Sequence, residues 1–218
     1  TTTGKHGHES VLTPFRNGEA DILIGTQMIV KGHDFPNVTL VAALAADMSL
    51  YAGDYRSSER TFELLMQASG RAGRAEKAGE VVIQTYNPEE YSIQAVAGQD
   101  AEYFYENELA FRRLMKYPPY SQMAAILILS EEENEAKTLS EKLAENIHSV
   151  CGDAVTLIGP SKAGLSRAKD RYRYVLYVKS MDEEAMACVR EIAEEANRRV
   201  VNQKTCSVQY DRDPVNGY

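Results

Sequence analysis

The sequence has few cysteines, few histidines, no long apolar run and no excess of positive charge, and each shortage excludes something. The three cysteines, Cys151, Cys188 and Cys206, lie far apart in the chain with no CxxC pair. That spacing argues against a disulfide scaffold and against a zinc site built within the chain, and it predicts buried free thiols. His6 and His8 form an HxH pair, but no further ligands cluster nearby in sequence, so no metal site is expected. No apolar run approaches membrane-spanning length and no basic-then-apolar leader opens the chain, so a soluble, cytoplasmic protein with no membrane partner is expected. The formal net charge is −8. A whole-surface attraction for nucleic acid is thereby excluded, and any such contact has to use a local patch.

What is present is ample apolar content, 44% of 218 residues, enough for one large core or two small ones. The stretch HESVLTPFRNGEA predicts a helix closed by Gly18, with Val11, Leu12 and Phe15 as its apolar face and Pro14 tolerable near a helix start. Asp21–Thr26 and Val38–Leu44 are continuous apolar runs, which suit strands buried on both faces of a parallel sheet. A helix follows, capped at Ser57 or Ser58, with Phe62, Leu65, Met66 and Ser69 at helical spacing. A third strand, Glu80–Thr85, is ended by Asn87-Pro88. Strands alternating with helices imply an α/β sheet with right-handed crossovers. Three strands are few for such a sheet, so the chain is expected to start inside a domain whose earlier portion lies upstream.

A helix from about Ala101 to Lys116 then runs into Tyr117-Pro118-Pro119-Tyr120, where two prolines mark a boundary. Beyond it the pattern predicts strand Met123–Leu129, helix Glu133–Val150, strand Val155–Ile158, strand Tyr172–Lys179, helix Glu183–Val200 and a last strand over Cys206, Val208 and Tyr210. The order is βαββαβ, the ferredoxin-like pattern of a small α+β domain. The expected fold class is therefore α/β: a parallel-sheet portion over 1–97, a helical linker over 98–120, and a βαββαβ domain over 121–218.

Two stretches in the first half stand apart. GTQMIVKGHDFP, residues 25–36, lies between two expected strands, and QASGRAGR, residues 67–74, closes a helix. A fold has little structural use for two arginines three apart among glycines at the mouth of an α/β sheet, where ligands bind at the carboxyl ends of the strands. Glycines let a backbone approach a ligand closely, and a planar, always-charged guanidinium suits a phosphate transition state. The bland reading is a glycine-rich turn with two solvated arginines.

These stretches resemble motifs V and VI of superfamily-two helicases. Together with VTLVAAL, DYRSSERTFELL, GEVVIQTYNP, ELAFRRLMKYPPY, LSRAKDRYRYVLYVK, DRDP and the opening TTTGKHGHE, they are similar to the PriA (primosomal protein N′) family of bacterial replication-restart helicases over nearly the whole chain. The resemblance implies that residues 1–97 are the carboxy-terminal part of a second RecA-like helicase lobe. It implies that Arg74 is the finger reaching the ATP γ-phosphate, that Arg71 assists, and that Gln67 helps order the nucleotide site. Gly32 and Asp34 are expected near the ribose and the finger arginines. Thr26 and the backbone at Gly25 are expected on a phosphate of the translocated strand, with Lys31 a candidate for either ligand. The implied cofactors are ATP and Mg2+, held mainly by the other lobe, and Zn2+ in the full-length family but not in this chain. No GxxxxGK[ST] loop and no DExH-type acidic motif occurs, so the groups that cradle ATP phosphates and hold magnesium are absent from the sequence, and the chain alone is expected to be inactive.

The implied partners are single-stranded and forked DNA, the single-strand-binding protein with other primosome proteins, and the remaining helicase lobe. The second half offers one basic, aromatic-interleaved stretch for DNA: Arg167, Lys169, Arg171, Tyr172, Arg173 and Tyr174. Two readings stand there. Arginines hold phosphates while tyrosines stack on bases, or Tyr172 and Tyr174 join Leu176 in the core and leave the arginines solvated. Arg112, Arg113 and Lys116 form a second basic group, read as surface or inter-domain contacts. Asp182, Glu183 and Glu184, on the helix expected to help line the pocket for the partner's acidic tail, would repel an acidic peptide, so the sequence does not place that pocket. Two further readings compete with the whole: another superfamily-two motor, or a module that only binds DNA or protein.

Overall fold

The computed structural model describes residues 7–26, 35, 37–51, 53–72, 79–200, 202, 205–215 and 217–218, with the side chains of residues 7 and 8 not described. The chain divides into two compact units, Thr1–Leu50 with Ser58–Phe104, and Tyr51–Ser57 with Tyr105–Tyr218.

The first unit opens with helix α1, Gly7–Arg16. Its end is closed as a glycine closes helices: Gly18 takes φ +75°, Gly18 N–H donates to Phe15 O at 3.2 Å, and Glu19 N–H to Pro14 O at 2.8 Å. Of the expected apolar face Leu12 is buried and Phe15 meets Phe35 edge-on at 5.2 Å, whereas Val11 is exposed. Strands β1 (Leu40–Ala43) and β2 (Glu80–Ile83) pair in parallel, Leu40 opposite Glu80 through Ala43 opposite Ile83.

Two expectations fail here. Asp21–Thr26 forms no strand; it joins no described ladder, and Ile22 and Ile24 are 77% and 87% exposed. An apolar run becomes a strand only where another strand satisfies its backbone, and β1 and β2 spend their described pairing on each other. Nor is the sheet buried on both faces. Leu40, Leu44 and Val82 point outward, and only the alternate residues Val41, Ala43, Val81 and Ile83 are half-buried.

Helix α2, Ser57–Ser69, lays Thr61, Phe62, Leu65 and Ala68 inward. Helix α3, Tyr91–Gly98, was not expected. Its cap is Glu90, whose carboxylate accepts from Ser92 N–H at 2.7 Å and Ile93 N–H at 3.2 Å, a role more often filled by a shorter side chain. Helix α4 runs Ala101–Met115. Phe62 and Phe104 stack face to face with centroids 4.1 Å apart, at the centre of a cluster with Ala46, Leu65, Ile93, Ala95 and Val96.

The second unit carries β3 (Gln122–Ser130), α5 (Glu133–Cys151), β4 (Thr156–Ala168), β5 (Arg171–Ser180), α6 (Glu183–Arg199) and β6 (Cys206–Arg212). The sheet order is β4-β5-β3-β6, with every neighbouring pair antiparallel. On one face Ala124, Ile126, Ile128, Leu176 and Val178 meet Leu143, Ile147, Met186 and Val189, the inward stripes of α5 and α6. The other face holds a smaller cluster of Ala125, Leu127, Ala163 and Val175, against which Tyr177 and Tyr218 pack.

Strand β4 is far longer than the run Val155–Ile158. It continues to Ala168, and Lys169 and Asp170, at φ +50° and +60°, turn the chain directly into β5 as a two-residue hairpin loop with both central residues left-handed. The pairing slips after Ile158. Gly159 sits at the slip with φ +99°, where a Cβ would stand 3.0 Å from Val175 O and 3.1 Å from Ser161 N. No described helix is long and apolar enough to cross a membrane.

Candidate functional site

The carboxyl ends of β1 and β2 are tied together by one aspartate. Asp47, buried in a 3-10 turn (Ala46–Ser49) just past β1, accepts from Thr85 Oγ1 at 2.5 Å, from Tyr86 N–H at 2.8 Å and from Asn87 N–H at 3.4 Å. The Thr85 hydroxyl and the Tyr86 amide, outweighing the opposing effect of burial, hold its carboxyl below the ordinary aspartate range. The turn is fixed to β2 a second way, since Ala46 N–H donates to Gln84 O at 3.0 Å and Ala45 N–H to the Gln84 side chain at 3.2 Å.

Helix α2 is anchored to that same turn. Ser49 Oγ donates to Ala46 O at 2.9 Å and accepts from Thr61 Oγ1 at 2.7 Å, while the Phe62–Phe104 stack holds the helix from its neighbouring face. At the far end of α2, Gln67 is exposed. The chain then leaves in tight turns: Gly70 N–H donates to Met66 O at 3.1 Å, Arg71 N–H to Ala68 O at 3.0 Å and Ala72 N–H to Ser69 O at 3.2 Å. Arg71 is half-buried at this helix end. A Cβ on Gly70 would meet only Met66 O at 3.5 Å and Gln67 O at 3.7 Å, so nothing in the described fold demands a glycine there.

Of the sequence-derived residues, Gln67 and Arg71 lie one helical turn apart at the end of α2, and Gly25 and Thr26 are exposed past the irregular 21–26 segment. Arg74, Lys31, Gly32 and Asp34 lie outside the described residues. So does His6, and with it the HxH pair. Among the described residues no group of three or more His, Cys, Asp or Glu converges as a metal site would require. Sequence reasoning missed Asp47, Ser49, Thr61 and Thr85. The usable signal was the polar ADMS following an apolar strand, since a buried acid there has to be met by backbone N–H groups.

In the second unit the basic stretch falls on the β4–β5 hairpin. Lys169 is exposed at its tip, Arg167 is exposed with its guanidinium 5.2 Å from the Tyr172 ring centroid and 3.6 Å from Asp170, and Arg173 donates to Leu165 O at 3.1 Å. Lys162 pairs with Glu133 at 2.5 Å. Tyr174 is buried in the main core and Tyr172 packs against it, so the ring of Tyr174 is spent on packing. Arg171 and Arg173 project to the other face and are half-buried, not freely solvated.

Arg112 is not a surface cation. Its guanidinium is largely covered, bonded to the buried Glu108 at 2.6 Å. Asp182 caps α6, accepting from Glu184 N–H at 2.8 Å and Ala185 N–H at 3.4 Å. The cysteines are free thiols, Cys206 buried and the other two half-buried. Cys151 and Cys188, distant in sequence, meet at the α5–α6 packing. Burial, and then the neighbouring Cys188 thiol, push Cys151 up to about 11, which leaves it poorly nucleophilic.

Comparison with known proteins matches the two halves separately. The family described as "Helicase conserved C-terminal domain" matches residues 2–76, and that described as "Primosomal protein N C-terminal domain" matches residues 113–215. The chain is 46% identical over 214 residues to the "Replication restart protein PriA" of Bacillus subtilis, covering 98% of this chain and 27% of that protein. The protein of the same name from Synechocystis is 42% identical over 82% of this chain and 22% of its own length, and that from Chlamydia trachomatis is 33% identical over 99% and 28%. The chain thus spans about a quarter of the length of the curated relatives it matches.

Proposed function

Because this chain belongs to the PriA family of replication restart proteins, we propose that it is the hydrolysis-triggering part of an ATP-dependent DNA helicase that moves 3′ to 5′ on single-stranded DNA and restarts stalled forks. The first unit is read as part of the second RecA-like lobe, and the second, with its βαββαβ order and β4-β5-β3-β6 sheet, as a ferredoxin-like accessory domain. The observation that carries the reading is the end of α2. Gln67 stands near the end of a helix whose Thr61 bonds the turn at the carboxyl ends of two parallel strands, the side of an α/β sheet where nucleotides bind, and Arg71 stands two residues beyond that helix.

The chain's own contribution to catalysis is electrostatic. Arg71 and Arg74 place fixed positive charge where charge develops on a transferring phosphoryl group, and Gln67 orders the site beside them. Gly32 and Asp34 would lie along the nucleotide, and Gly25, Thr26 and Lys31 along the DNA strand. ATP and Mg2+ would be held mainly by a phosphate-cradling lobe whose motifs are not in this sequence, and zinc, where the family uses it, would be held elsewhere. What supports this division is that Arg71 is half-buried just past a helix end, beside a glycine.

The β4–β5 hairpin is the proposed DNA contact of the second unit, with Arg167, Lys169, Arg171 and Arg173 on phosphates. Stacking on bases is not assigned to the buried Tyr174. Forked DNA, the single-strand-binding protein and other primosome proteins are the proposed partners of the longer protein, acting in the bacterial cytoplasm.

The test is unwinding by the longer protein of forks with a 3′ or a 5′ single-stranded arm, in DNA and in RNA. Unwinding of DNA with the polarity stated supports the reading. Equal action on RNA, or no unwinding of DNA, removes it in favour of another superfamily-two motor or a binding module.

A further inference from the structure

Helices α5 and α6 cover one face of the second unit's sheet. On the opposite face Tyr177 of β5, Ala125 of β3 and Asp211 of β6 stand in one cross-strand row, with Ala125 opposite both of the others. Beyond β6 the chain takes φ +54° at Asp213 and returns over this face. Tyr218 lies along the row. Its N–H donates to the Tyr177 hydroxyl at 2.9 Å, its own hydroxyl donates to the Asp211 carboxylate, and its carbonyl accepts from Gly164 N–H of β4 at 2.7 Å. One residue is thereby bonded to β4, β5 and β6. It also packs against the cluster of Ala125, Leu127, Ala163 and Val175, in which the small side chain of Ala125 leaves room at the middle of the row.

The N–H, hydroxyl and carbonyl of Tyr218 are all spent inside the protein. Burial first, and then the bond to Asp211, push its phenol up to about 12, so the ring stays neutral. Yet the residue is only half-buried. What it has left for a partner is aromatic surface, fixed in place before any partner arrives. Such a surface stacks on nucleobases with little regard to sequence, since every base has a π-face. Strand alternation puts Arg171 and Arg173 on this same face of β5, and the Arg173 charge is near enough to act on the Tyr218 phenol. Cations for phosphates beside an aromatic ring for bases are the two kinds of group that single-strand binding uses. Tyr174, on the other face of β5, is buried in the core and offers no such surface.

We propose that Tyr218 is a base-stacking platform for single-stranded DNA on the sheet face opposite α5 and α6. The proposal rests on the reading of the β4–β5 arginines as DNA contacts. It adds to them a contact that is made to a base and releases no counterion, so it contributes affinity without salt dependence.

The experiment titrates this chain with a labelled dT oligonucleotide and with an abasic strand of the same length, by fluorescence anisotropy across a salt series. Tyr218→Leu should weaken binding of the dT strand about tenfold, leave the slope of log affinity against log salt as in wild type, and leave the abasic strand's binding in place. Tyr218→Phe keeps the ring and should retain most of the dT affinity. The sequence has no tryptophan, so Tyr218→Trp sets a single indole on the platform. Its emission should be quenched by the dT strand and not by the abasic one, a readout that stands even if Tyr218→Leu loses the amide protection of β3 and β5. Unquenched emission, equal losses on both strands, or unchanged or tighter dT binding in a folded Tyr218→Leu overturns the proposal. Arg167→Gln and Arg173→Gln run alongside separate the two readings. If they lower the salt slope while Tyr218→Leu changes nothing, stacking fails and the hairpin reading stands. If the dT strand quenches the indole while the arginine variants leave the slope unchanged, Tyr218 stacks and the hairpin reading fails. No binding of either strand by the unsubstituted chain overturns both.

Discussion

Thr61, fully buried in α2, gives its hydroxyl hydrogen to Ser49 Oγ at 2.7 Å, joining the helix that leads to Arg71 to the turn that follows β1. Thr61→Val keeps the shape and removes the donor. It should destabilise the first unit by about 1 kcal/mol, the net value of one buried hydrogen bond. A lowered urea midpoint, with unchanged protection in β3 and β5, is the expected outcome; an unchanged midpoint would mean that the Phe62 packing alone holds the helix.

Asp47 gives the first unit an acid-side weakness. Its carboxyl is held below the ordinary range by the Thr85 hydroxyl first and then the Tyr86 amide. A group with a depressed folded pKa contributes stability that is fully present above its unfolded value, near 3.8, and is lost as pH falls through the lower folded value. Urea midpoints followed from pH 7 to pH 2 should therefore fall at the acid end by less in Asp47→Asn than in wild type. At pH 7 that variant should be the less stable of the two, because its amide cannot accept from three donors as a carboxylate does.

The sequence spoke most clearly where one periodicity had one explanation. Ala136, Leu143 and Ile147 at helical spacing, and the alternation from Tyr172 to Val178, gave α5 and β5 to within a residue or two. It misled at Asp21–Thr26, because an apolar run carries no information on whether a partner strand lies beside it. It was silent on α3, an eight-residue helix opened by the unusual cap Glu90. It was silent also on the outer half of β4, where Gly159, Pro160 and Gly164 hide a strand that tertiary contacts stabilise: its pairing with β5, the burial of Ala163 and the bond from Gly164 N–H to Tyr218 O at 2.7 Å. At the site the arginine and glycine wording was legible. The supports around it were not, since Asp47, Ser49 and Thr61 are ordinary polar residues until the fold buries them together.

Gly159 tests that outer strand. With φ +99° and Val175 O 3.0 Å from a would-be Cβ, Gly159→Ala should cost about 1–3 kcal/mol. The loss should appear as a lower thermal midpoint together with faster exchange in β4, whereas Gly70→Ala, whose added Cβ would meet ordinary contacts among the described residues, should leave the midpoint in place.

The hairpin cations should read as phosphate contacts. Arg167→Gln and Lys169→Gln should each weaken single-stranded DNA binding and lower the slope of log affinity against log salt by roughly 0.7. Tyr174→Ala should instead lower stability, because its ring is core. Fluorescence anisotropy across a salt series separates these outcomes, and an unchanged slope in both glutamine variants would take the hairpin out of the DNA interface.

The chain alone should hydrolyse no ATP even with saturating single-stranded DNA, because its sequence lacks the loop that cradles phosphates. Phosphate release by the purified chain above the buffer rate would contradict this.

The most direct measurement is DNA-stimulated ATP turnover by the longer protein carrying Arg71→Ala or Arg74→Ala, with nucleotide binding followed in parallel by a fluorescent ATP analogue. If the end of α2 supplies charge to the transferring phosphoryl group, Arg74→Ala should lower turnover by about 10³-fold or more, and Arg71→Ala clearly if less, while binding persists. Turnover at the wild-type rate in both variants would contradict it and leave QASGRAGR as a glycine-rich turn with no part in hydrolysis.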